Sequence, residues 1–205
     1  MGLKLEFPAG ATPLDPDDTA GLLPTHITNQ QELNEWEFEN VARGEEWAFG
    51  ARHSEILTLD FLIALHGKMF GDTWAWAGEF RGKEVLPIGV APEQIRPALT
   101  TLLEDVKVQI QSQSWEIAEI AARFHHRLVA IHPFANGNGR FSRTMTDLLL
   151  FQAGRERFAW GSHLERAGEA RARYIAALQA ADNKDYRPLF DLVGVRPHGG
   201  PCSTC

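Results

Sequence analysis

The feature that most constrains the fold is a pair of helical segments joined by a short turn rich in proline and glycine, between residues 114 and 154. Apolar residues of the first segment recur at helical spacing and form one continuous stripe: Ile117, Ile120, Ala121, Phe124, Leu128 and Ile131. Ser114 is the predicted N-cap of this helix, and Glu116 suits its positive N-terminal end. The stripe predicts a helix that is buried along one face.

Pro133 is predicted to end this helix, because the residue before a proline is pushed toward extended backbone geometry. That residue is His132, so we expect its imidazole to be held rigidly at the carboxyl end of a buried helix while facing out of it. After the turn, GRFSRTMTDLLLFQAG is predicted to form a second helix, with Gly154 as its C-terminal cap.

The turn between the two helices, residues 136–139, leads directly into a helix N-terminus. Its glycines permit the positive φ angles that aim successive backbone N–H groups at one point, and the partial positive charge of the helix end adds to them. Arg140 and Arg143 stand three residues apart and are therefore neighbours on the helix surface. Two guanidinium groups here suit a di- or triphosphate, so the segment predicts a histidine base beside a polyphosphate-binding loop.

Three other interpretations of these residues explain less. A purely structural turn is possible, since Asn-Gly pairs are ordinary turn residues, but it leaves His132, Arg140 and Arg143 unexplained together. A Walker loop does not fit, because GNGR lacks the lysine-hydroxyl ending and follows no strand. A metal site at His125, His126 and His132 has no nearby cluster of acidic or cysteine ligands, so packing roles are favoured for the first two histidines.

The N-terminal third of the chain is predicted to contain an arm and two helices. Residues 1–27 are rich in proline, glycine and aspartate and indicate an extended arm. A helix is predicted over residues 28–50, with Thr28 as its N-cap and Gln31 three positions later. A second helix covers LDFLIALHGKMFG and closes at Gly71.

Residues 84–90, EVLPIGV, are the one β-rich stretch and predict a short hairpin or extended flap. Helical periodicity returns from Glu93 through IRPALTTLLEDVKVQI. The last ten residues, 196–205, form a predicted flexible tail that ends in CSTC. A CxxC pair can be redox-active or half of a zinc site, but no second pair is present, which favours free thiols.

Charge and hydropathy narrow the range of functions. The chain has 20 Lys and Arg against 27 Asp and Glu, a formal net charge of −7, whereas proteins that bind a nucleic-acid backbone usually carry a basic stripe. The N-terminus has no apolar run long enough for a signal peptide or a membrane span. We therefore expect a cytoplasmic protein that contacts neither a membrane nor, directly, nucleic acid.

The segment HPFANGNGRFSR resembles the signature of the Fic family, His-Pro-Phe-x-(Asp/Glu)-Gly-Asn-Gly-Arg-x-x-Arg. The resemblance continues through AARFHHRLVAIHPF, WAWAGEFR and YIAALQAADNKDYRPLFDLV. In size and in its N-terminal segment, the chain is most similar to the members called mobile mystery protein B, which are carried on bacterial mobile elements. The resemblance implies an all-α fold over residues 28–195, a Fic-type helical bundle with a small β-hairpin flap.

The resemblance also implies nucleotidyl transfer, most often of AMP from ATP to a protein hydroxyl, with Mg²⁺ on the phosphates. His132 would then be the general base, a task that suits an imidazole because it titrates near neutral pH. Phe134 would anchor the loop in the core. The residues implied to hold the phosphates are Asn136, Gly137, Asn138, Gly139, Arg140 and Arg143. The 84–90 flap would bind the protein substrate by pairing with its backbone as an added strand.

Asn136 departs from the family pattern, which has Asp or Glu at this position. Magnesium prefers anionic oxygen, so an amide makes Asn136 a weak ligand, and the metal would then be carried by the phosphates and water. Reduced activity, a different nucleotide or a different transferred group is compatible with this change. Phospho-group transfer of another kind and a non-catalytic nucleotide-binding or interaction protein therefore stay open beside adenylyl transfer.

Many Fic proteins restrain themselves with a helix of pattern (Ser/Thr)-x-x-x-Glu-(Gly/Asn), whose glutamate pairs with the second arginine of the motif, here Arg143. In the helix over 28–50, Glu39 and the asparagine after it match the end of this pattern, but Glu35 stands where the hydroxyl belongs. Solvated surface positions for these acids are the alternative interpretation. Regulation by a partner protein and assembly into a homodimer are both left open.

Glu37 is the preferred inhibitory candidate, with Glu39 as the second choice. Leu33, Trp36, Glu37 and Asn40 fall at helical intervals on one face. A glutamate on an apolar face needs a cationic partner, because an unpaired buried charge is costly.

Overall fold

Helices account for the regular structure in the computed structural model, which describes residues 15–50, 53–85, 88–161, 164 and 168–196. The α-helices in these residues are α1 (Pro16–Ala20), α2 (Gln30–Gly50), α3 (Leu59–Phe70), α4 (Ile95–Gln111), α5 (Ile117–Ile131), α6 (Asn138–Gln152), α7 (Glu169–Asp182) and α8 (Arg187–Val193). A 3₁₀ turn, Pro92–Gln94, leads into α4. The described part of the chain contains no strand, only isolated bridges between Leu22 and Trp74 and between Phe80 and Phe134. The predicted all-α fold is confirmed.

The core forms where α5 packs against α4 and α6 and where α2 packs against α3. The apolar stripe predicted on α5 is confirmed, because five of its six members are buried: Ile120, Ala121, Phe124, Leu128 and Ile131. Large aromatic side chains fill the space between α3, α5 and α6, and Phe70, Phe124 and Phe141 are almost completely buried. A second cluster around Trp160 and Tyr174 attaches α7 and α8 to the other side of α5.

The start of α2 differs by one residue from the prediction. Asn29 rather than Thr28 is the cap, since its Oδ1 accepts from the backbone N–H of Glu32 at 3.0 Å. Glu32 reaches back, and its Oε2 accepts from the backbone N–H of Thr28 at 2.7 Å. Together these two bonds cap the start of α2, and the N-cap lies one position later than the predicted Thr28.

Of the other predicted helix ends, the N-cap of α5 was wrong and the ends of α3 and α6 were correct. Ser114 does not cap α5: its Oγ lies 2.7 Å from Ser112 Oγ, and Glu116 occupies the N-cap position without a side-chain hydrogen bond. By contrast, α3 closes at Gly71 as predicted. Gly154 follows the end of α6 with a φ of +69°, which also agrees with its predicted role in ending that helix.

The β-hairpin expected over residues 84–90 is not found in the described part of that segment, which excludes Leu86 and Pro87. In the described part of this segment, Val90 N–H donates to Ile131 O at 3.3 Å. Val90 is therefore joined to the end of α5.

The ends of the chain were predicted to be an extended arm and a flexible tail. Residues 1–14 and 197–205 lie outside the described residues, and so does the terminal CxxC. The described part of the arm is not simply extended, because Pro16–Ala20 form a short helix with Asp15 as its N-cap. The domain limits at residues 28 and 195 stay a prediction. Within the described ranges, none of the helices combines the length and apolar character that crossing a bilayer requires.

Candidate active site

His132 lies at the carboxyl end of α5, as predicted, but its backbone is not extended. Its φ of 53° and ψ of 61° place it in the left-handed region, which is unusual for a residue other than glycine. The structure overrides the preference for extended geometry before proline because Arg81 holds the carbonyl of His132, with Nε donating at 2.6 Å. The backbone N–H of Arg81 also donates to Pro133 O at 2.9 Å.

The imidazole of His132 is in its neutral, proton-accepting form at physiological pH. The residue is buried, with 7% of its surface exposed. Burial lowers its pKa from 6.5 to about 4, and the charge of the nearby Arg81 guanidinium adds to this effect. The surroundings of His132 thus keep it ready to accept a proton, although they make it a weaker base than a free imidazole.

The loop after His132 is closed by the side chain of Asn138. Its Nδ2 donates to Phe134 O at 2.7 Å, and its Oδ1 accepts from Phe134 N–H at 2.9 Å. The buried side-chain amide of Asn138 is therefore used to shape the loop. Its expected role in holding phosphate stays a prediction. In the first turn of any helix the backbone N–H groups have no intrahelical partner, so α6 presents such donors at its start.

Gly137 is the N-cap of α6 and has a φ of +76°. A Cβ at this position would lie 2.5 Å from Cζ of Phe70, whose ring is buried against the loop. Glycine is therefore required at this position for two reasons, the left-handed backbone and the lack of space for a Cβ. Arg140 follows within the first turn, and its Cζ lies 4.8 Å from the centroid of the same Phe70 ring.

His66 on α3 packs against the loop between α5 and α6, and the sequence analysis did not predict this role. Its Nδ1 accepts from Gly78 N–H at 3.0 Å, which assigns the ring proton to Nε2, and Nε2 donates to Asn136 O at 3.1 Å. The ring also stacks on Phe134 at a centroid distance of 3.7 Å. Burial lowers its pKa to about 3, so it stays neutral. The sequence feature that could have indicated this role is the position of His66 on the apolar face of LDFLIALHGKMF.

Asn136 does not offer an anionic site for magnesium. Its Oδ1 accepts from the N–H of Gly137 at 2.5 Å, so this neutral oxygen is already engaged within the loop. The described residues contain no cluster of three or more His, Cys, Asp or Glu side chains suited to a metal ion. The donor set at position 136 therefore does not fit Mg²⁺ as a protein-held ion.

Glu37 on α2 reaches the first turn of α6. Its Oε2 pairs with Nη1 of Arg140 at 2.8 Å, and its Oε1 accepts from Nε1 of Trp74 at 2.7 Å. The predicted face of α2 is confirmed, because Glu37 is buried together with Leu33 and Asn40. The arginine that Glu37 pairs with is Arg140, whereas the resemblance implied the next arginine of the motif.

Arg143 lies one helical turn beyond Arg140, and its Cζ is 5.8 Å from the ring centroid of Tyr174 on α7. Packing explains why Glu37 pairs with Arg140. Helix α2 packs on α3, and the Arg140 guanidinium lies over the α3 residue Phe70. Glu39 is exposed on α2.

His125 and His126 have packing roles, as predicted. Nε2 of His125 lies 2.8 Å from the hydroxyl of Tyr174. Nδ1 of His126 lies 3.1 Å from the hydroxyl of Tyr186, and its Nε2 lies 2.9 Å from Asp182 Oδ1. Both rings thus bind α5 to the C-terminal helices rather than facing the turn.

Comparison with known proteins points to one family. Residues 56–150 match the family model of Fic, the Fic/DOC family. The protein adenylyltransferase fic-1 of Caenorhabditis briggsae is 30% identical over 146 residues, which cover 69% of this chain and 27% of that protein. The protein adenylyltransferase Fic of Drosophila grimshawi is 33% identical over 142 residues, which cover 67% and 28%. The chain thus spans just over a quarter of the length of these relatives.

Solved structures share the fold. The BepC protein of Bartonella tribocorum, with bound AMPPNP, matches with a TM-score of 0.70 at 18% identity, covering 91% of this chain and 100% of that one. The N-terminal Fic domain of a Bep effector from Bartonella quintana, with bound ADP, matches with a TM-score of 0.67 at 21% identity, covering 82% and 86%.

Proposed function

Because the chain carries a domain of the Fic/DOC family over residues 56–150, we propose that it is a protein adenylyltransferase, which moves AMP from ATP to a hydroxyl side chain of a protein. The observation that carries this proposal is the junction of α5 and α6, where the neutral base His132 stands next to a glycine-rich loop and Arg140. The naming of the curated relatives as adenylyltransferases supports it, as do the bound nucleotides of the two Bartonella structures.

His132 would take the proton of the target hydroxyl as the hydroxyl oxygen attacks the α-phosphorus of ATP. The bond from that phosphorus to the bridging oxygen breaks, and pyrophosphate leaves. The first-turn N–H groups of α6 and the guanidinium groups of Arg140 and Arg143 would stabilise the negative charge that develops on the leaving group. The neutral state of His132 supports this role, since only an unprotonated imidazole can accept the proton.

Magnesium, if it accompanies ATP here, would supply further neutralisation of phosphate charge. Asn136 could offer it only a neutral oxygen, and only by giving up the bond from Gly137 N–H. The negative charge of the phosphates would therefore be neutralised mainly by the arginines and by the N-terminus of α6. For this reason it matters whether Arg140 is paired with Glu37 or with the phosphates.

The ion pair between Glu37 and Arg140 supports autoinhibition as part of the proposal. While Glu37 holds this guanidinium, Arg140 is not available to the phosphates of ATP, and a carboxylate beside them would repel them. The indole of Trp74 fixes the other carboxylate oxygen and so keeps Glu37 pointing at the loop. Glu39, being exposed, is set aside as the inhibitory residue.

The remaining elements of the proposal concern partners and location. The target protein would pass along residues 84–90. Gly89 of this segment lies beside His132, since a Cβ added to Gly89 would be 3.2 Å from Cβ of His132. A regulatory partner that draws α2 away would relieve the inhibition, and a homodimer could do the same. Membership in the mobile mystery protein B group, and hence action in a bacterial cytoplasm, rests on size and on the N-terminal segment.

The proposal is tested with ATP labelled in two positions. The purified chain is incubated with a bacterial lysate and ATP that carries the label on either the α- or the γ-phosphate. Adenylyl transfer predicts labelled protein bands with the α-label only. Bands with the γ-label would establish a different phospho-group transfer. ATP binding without any labelled band, for the wild type and for Glu37→Gly alike, would establish a non-catalytic nucleotide-binding protein.

A further inference from the structure

Arg81 makes an unusual set of contacts for a side chain outside the phosphate loop. Only 7% of its surface is exposed, and its guanidinium donates to backbone carbonyls on two sides. On the α5 side, Nε donates to His132 O at 2.6 Å and Nη2 to Ile131 O at 3.4 Å. On the loop side, Nη1 donates to Lys83 O at 2.7 Å and Nη2 to Val90 O.

These four carbonyls belong to two segments that need to act together. Lys83 precedes the loop 84–90 and Val90 is its last residue, while Ile131 ends α5 and His132 is its C-cap. A guanidinium suits this position because its five N–H donors lie in one plane and because the carbonyl end of a helix attracts a cation. A lysine carries its three N–H donors on one nitrogen and could not supply the four bonds that the guanidinium spreads over both segments.

Gly89 shows how tightly the loop is pressed onto this cation. A Cβ at Gly89 would lie 2.6 Å from Nη2 of Arg81 and 3.2 Å from Cβ of His132. The φ of Gly89 is +93°, which also favours glycine. The backbone of the loop therefore lies directly on both the arginine and the histidine.

We propose that Arg81 is a positioning residue that ties Lys83 and Val90, at the two ends of the target-binding loop, to His132, so that a bound target presents its hydroxyl to the imidazole in register. The inference rests on the proposed adenylyl transfer and extends it to a residue outside the phosphate loop. A general base acts only within hydrogen-bond reach of its proton, and a misplacement of about 1 Å can cost about a hundredfold in rate. The hydrogen bonds that the Arg81 guanidinium makes go to the carbonyls of Lys83, Val90, Ile131 and His132, which lie outside the 136–140 segment.

The test compares Arg81→Lys with Arg123→Gln in the full chain. Arg123 is the matched control: it is a partly buried arginine bonded to the buried Glu119, and it lies on α5 away from the loop. Labelling of lysate protein by α-labelled ATP and binding of a fluorescent ATP analogue are measured for each variant. Arg81→Lys is expected to reduce labelling at least tenfold at saturating ATP, with the affinity for the analogue changed less than twofold. Arg123→Gln should change neither.

Hydrogen exchange of the loop gives a readout that does not depend on activity. Arg81→Lys should speed amide exchange over residues 83–90, notably at Val90, and Arg123→Gln should not. Gly89→Ala retains Arg81 but should displace its guanidinium, so it should reproduce both effects if Arg81→Lys does not fold. Labelling at the wild-type rate, ATP binding lost in step with labelling, or unchanged exchange would each overturn the proposal. If the wild type labels nothing, adenylyl transfer fails, and the exchange data alone decide whether Arg81 joins the two segments.

Discussion

Replacing Gly137 by alanine tests whether the geometry of the phosphate loop depends on this glycine. Two costs add at this position. The left-handed backbone, with a φ of +76°, costs an alanine about 1–2 kcal/mol. The added Cβ would also lie 2.5 Å from Cζ of Phe70, and overpacking of a core typically costs about 1–3 kcal/mol. Phe70 cannot turn aside easily, because its ring is 1% exposed and lies 4.7 Å from that of His66.

Gly154 offers a matched control for the backbone cost alone. It has a φ of +69°, and a Cβ there would meet nothing within 4 Å. Gly154→Ala should therefore lose only about 1–2 kcal/mol, whereas Gly137→Ala should lose about 2–5 kcal/mol in total. For a chain of this size the difference corresponds to a further drop in Tm of roughly 2–4 °C per kcal/mol.

Urea unfolding followed by circular dichroism measures both variants, and titration with a fluorescent ATP analogue measures the loop. Gly137→Ala should weaken nucleotide binding, because the first-turn N–H groups of α6 move with the cap, and Gly154→Ala should bind like the wild type. Equal destabilisation of the two variants would refute the steric argument about Phe70. Unchanged binding by Gly137→Ala would refute the claim that this turn aims the donors.

Three further predictions concern regulation, metal and pH. Glu37→Gly should raise automodification several-fold by releasing the arginine it holds, whereas Glu39→Gly, at an exposed position, should not. Asn136→Asp should lower the Mg²⁺ concentration needed for half-maximal transfer, because a carboxylate is the better ligand. Stability should fall as the pH drops from 6.5 toward 3, since His66 and His125 have pKa values of about 3 and stay neutral in the fold while the unfolded chain takes up protons; each contributes a slope of about 1.4 kcal/mol per pH unit.

Each of these predictions has a clear contrary result. Automodification at the wild-type level by both the Glu37 and the Glu39 variant would show that α2 is structural only. An unchanged or raised Mg²⁺ requirement would show that residue 136 does not reach the metal. For pH, the urea midpoint is followed from pH 7 to pH 4. Asp147, whose pKa burial raises to about 6, offsets part of the histidine effect; a midpoint that does not fall would contradict the burial of the two rings.

Local patterns in the sequence were enough for much of this fold. The 3.6-residue stripe on α5 predicted its buried face, and Gly71 predicted the end of α3, because both features depend on neighbours within a few residues. The helix caps were less certain, since Thr28 and Asn29 are both good capping residues and only the observed hydrogen bonds separate them. The phosphate-binding role of the loop between α5 and α6 was inferred from its glycines and arginines alone and stays a prediction.

Contacts between distant parts of the chain could not be predicted in the same way. Arg81 and His132 are 51 residues apart, and no periodicity in the sequence links them. Their hydrogen bond nevertheless holds the backbone of His132 in its left-handed conformation. His66 supports the loop through a residue 70 positions later. The choice of Arg140 as the partner of Glu37 likewise depends on how α2 packs on α3, which is a property of the assembled fold.

The most direct test of the central claim is the rate of α-label transfer from ATP to protein by His132→Ala, measured beside its affinity for ATP. His132 lies beside the phosphate loop rather than within it. Removing a positioned general base should slow transfer about a hundredfold or more, while the affinity for ATP changes less than twofold. Transfer at the wild-type rate would contradict the assignment of His132 as the base and, with it, the proposed mechanism.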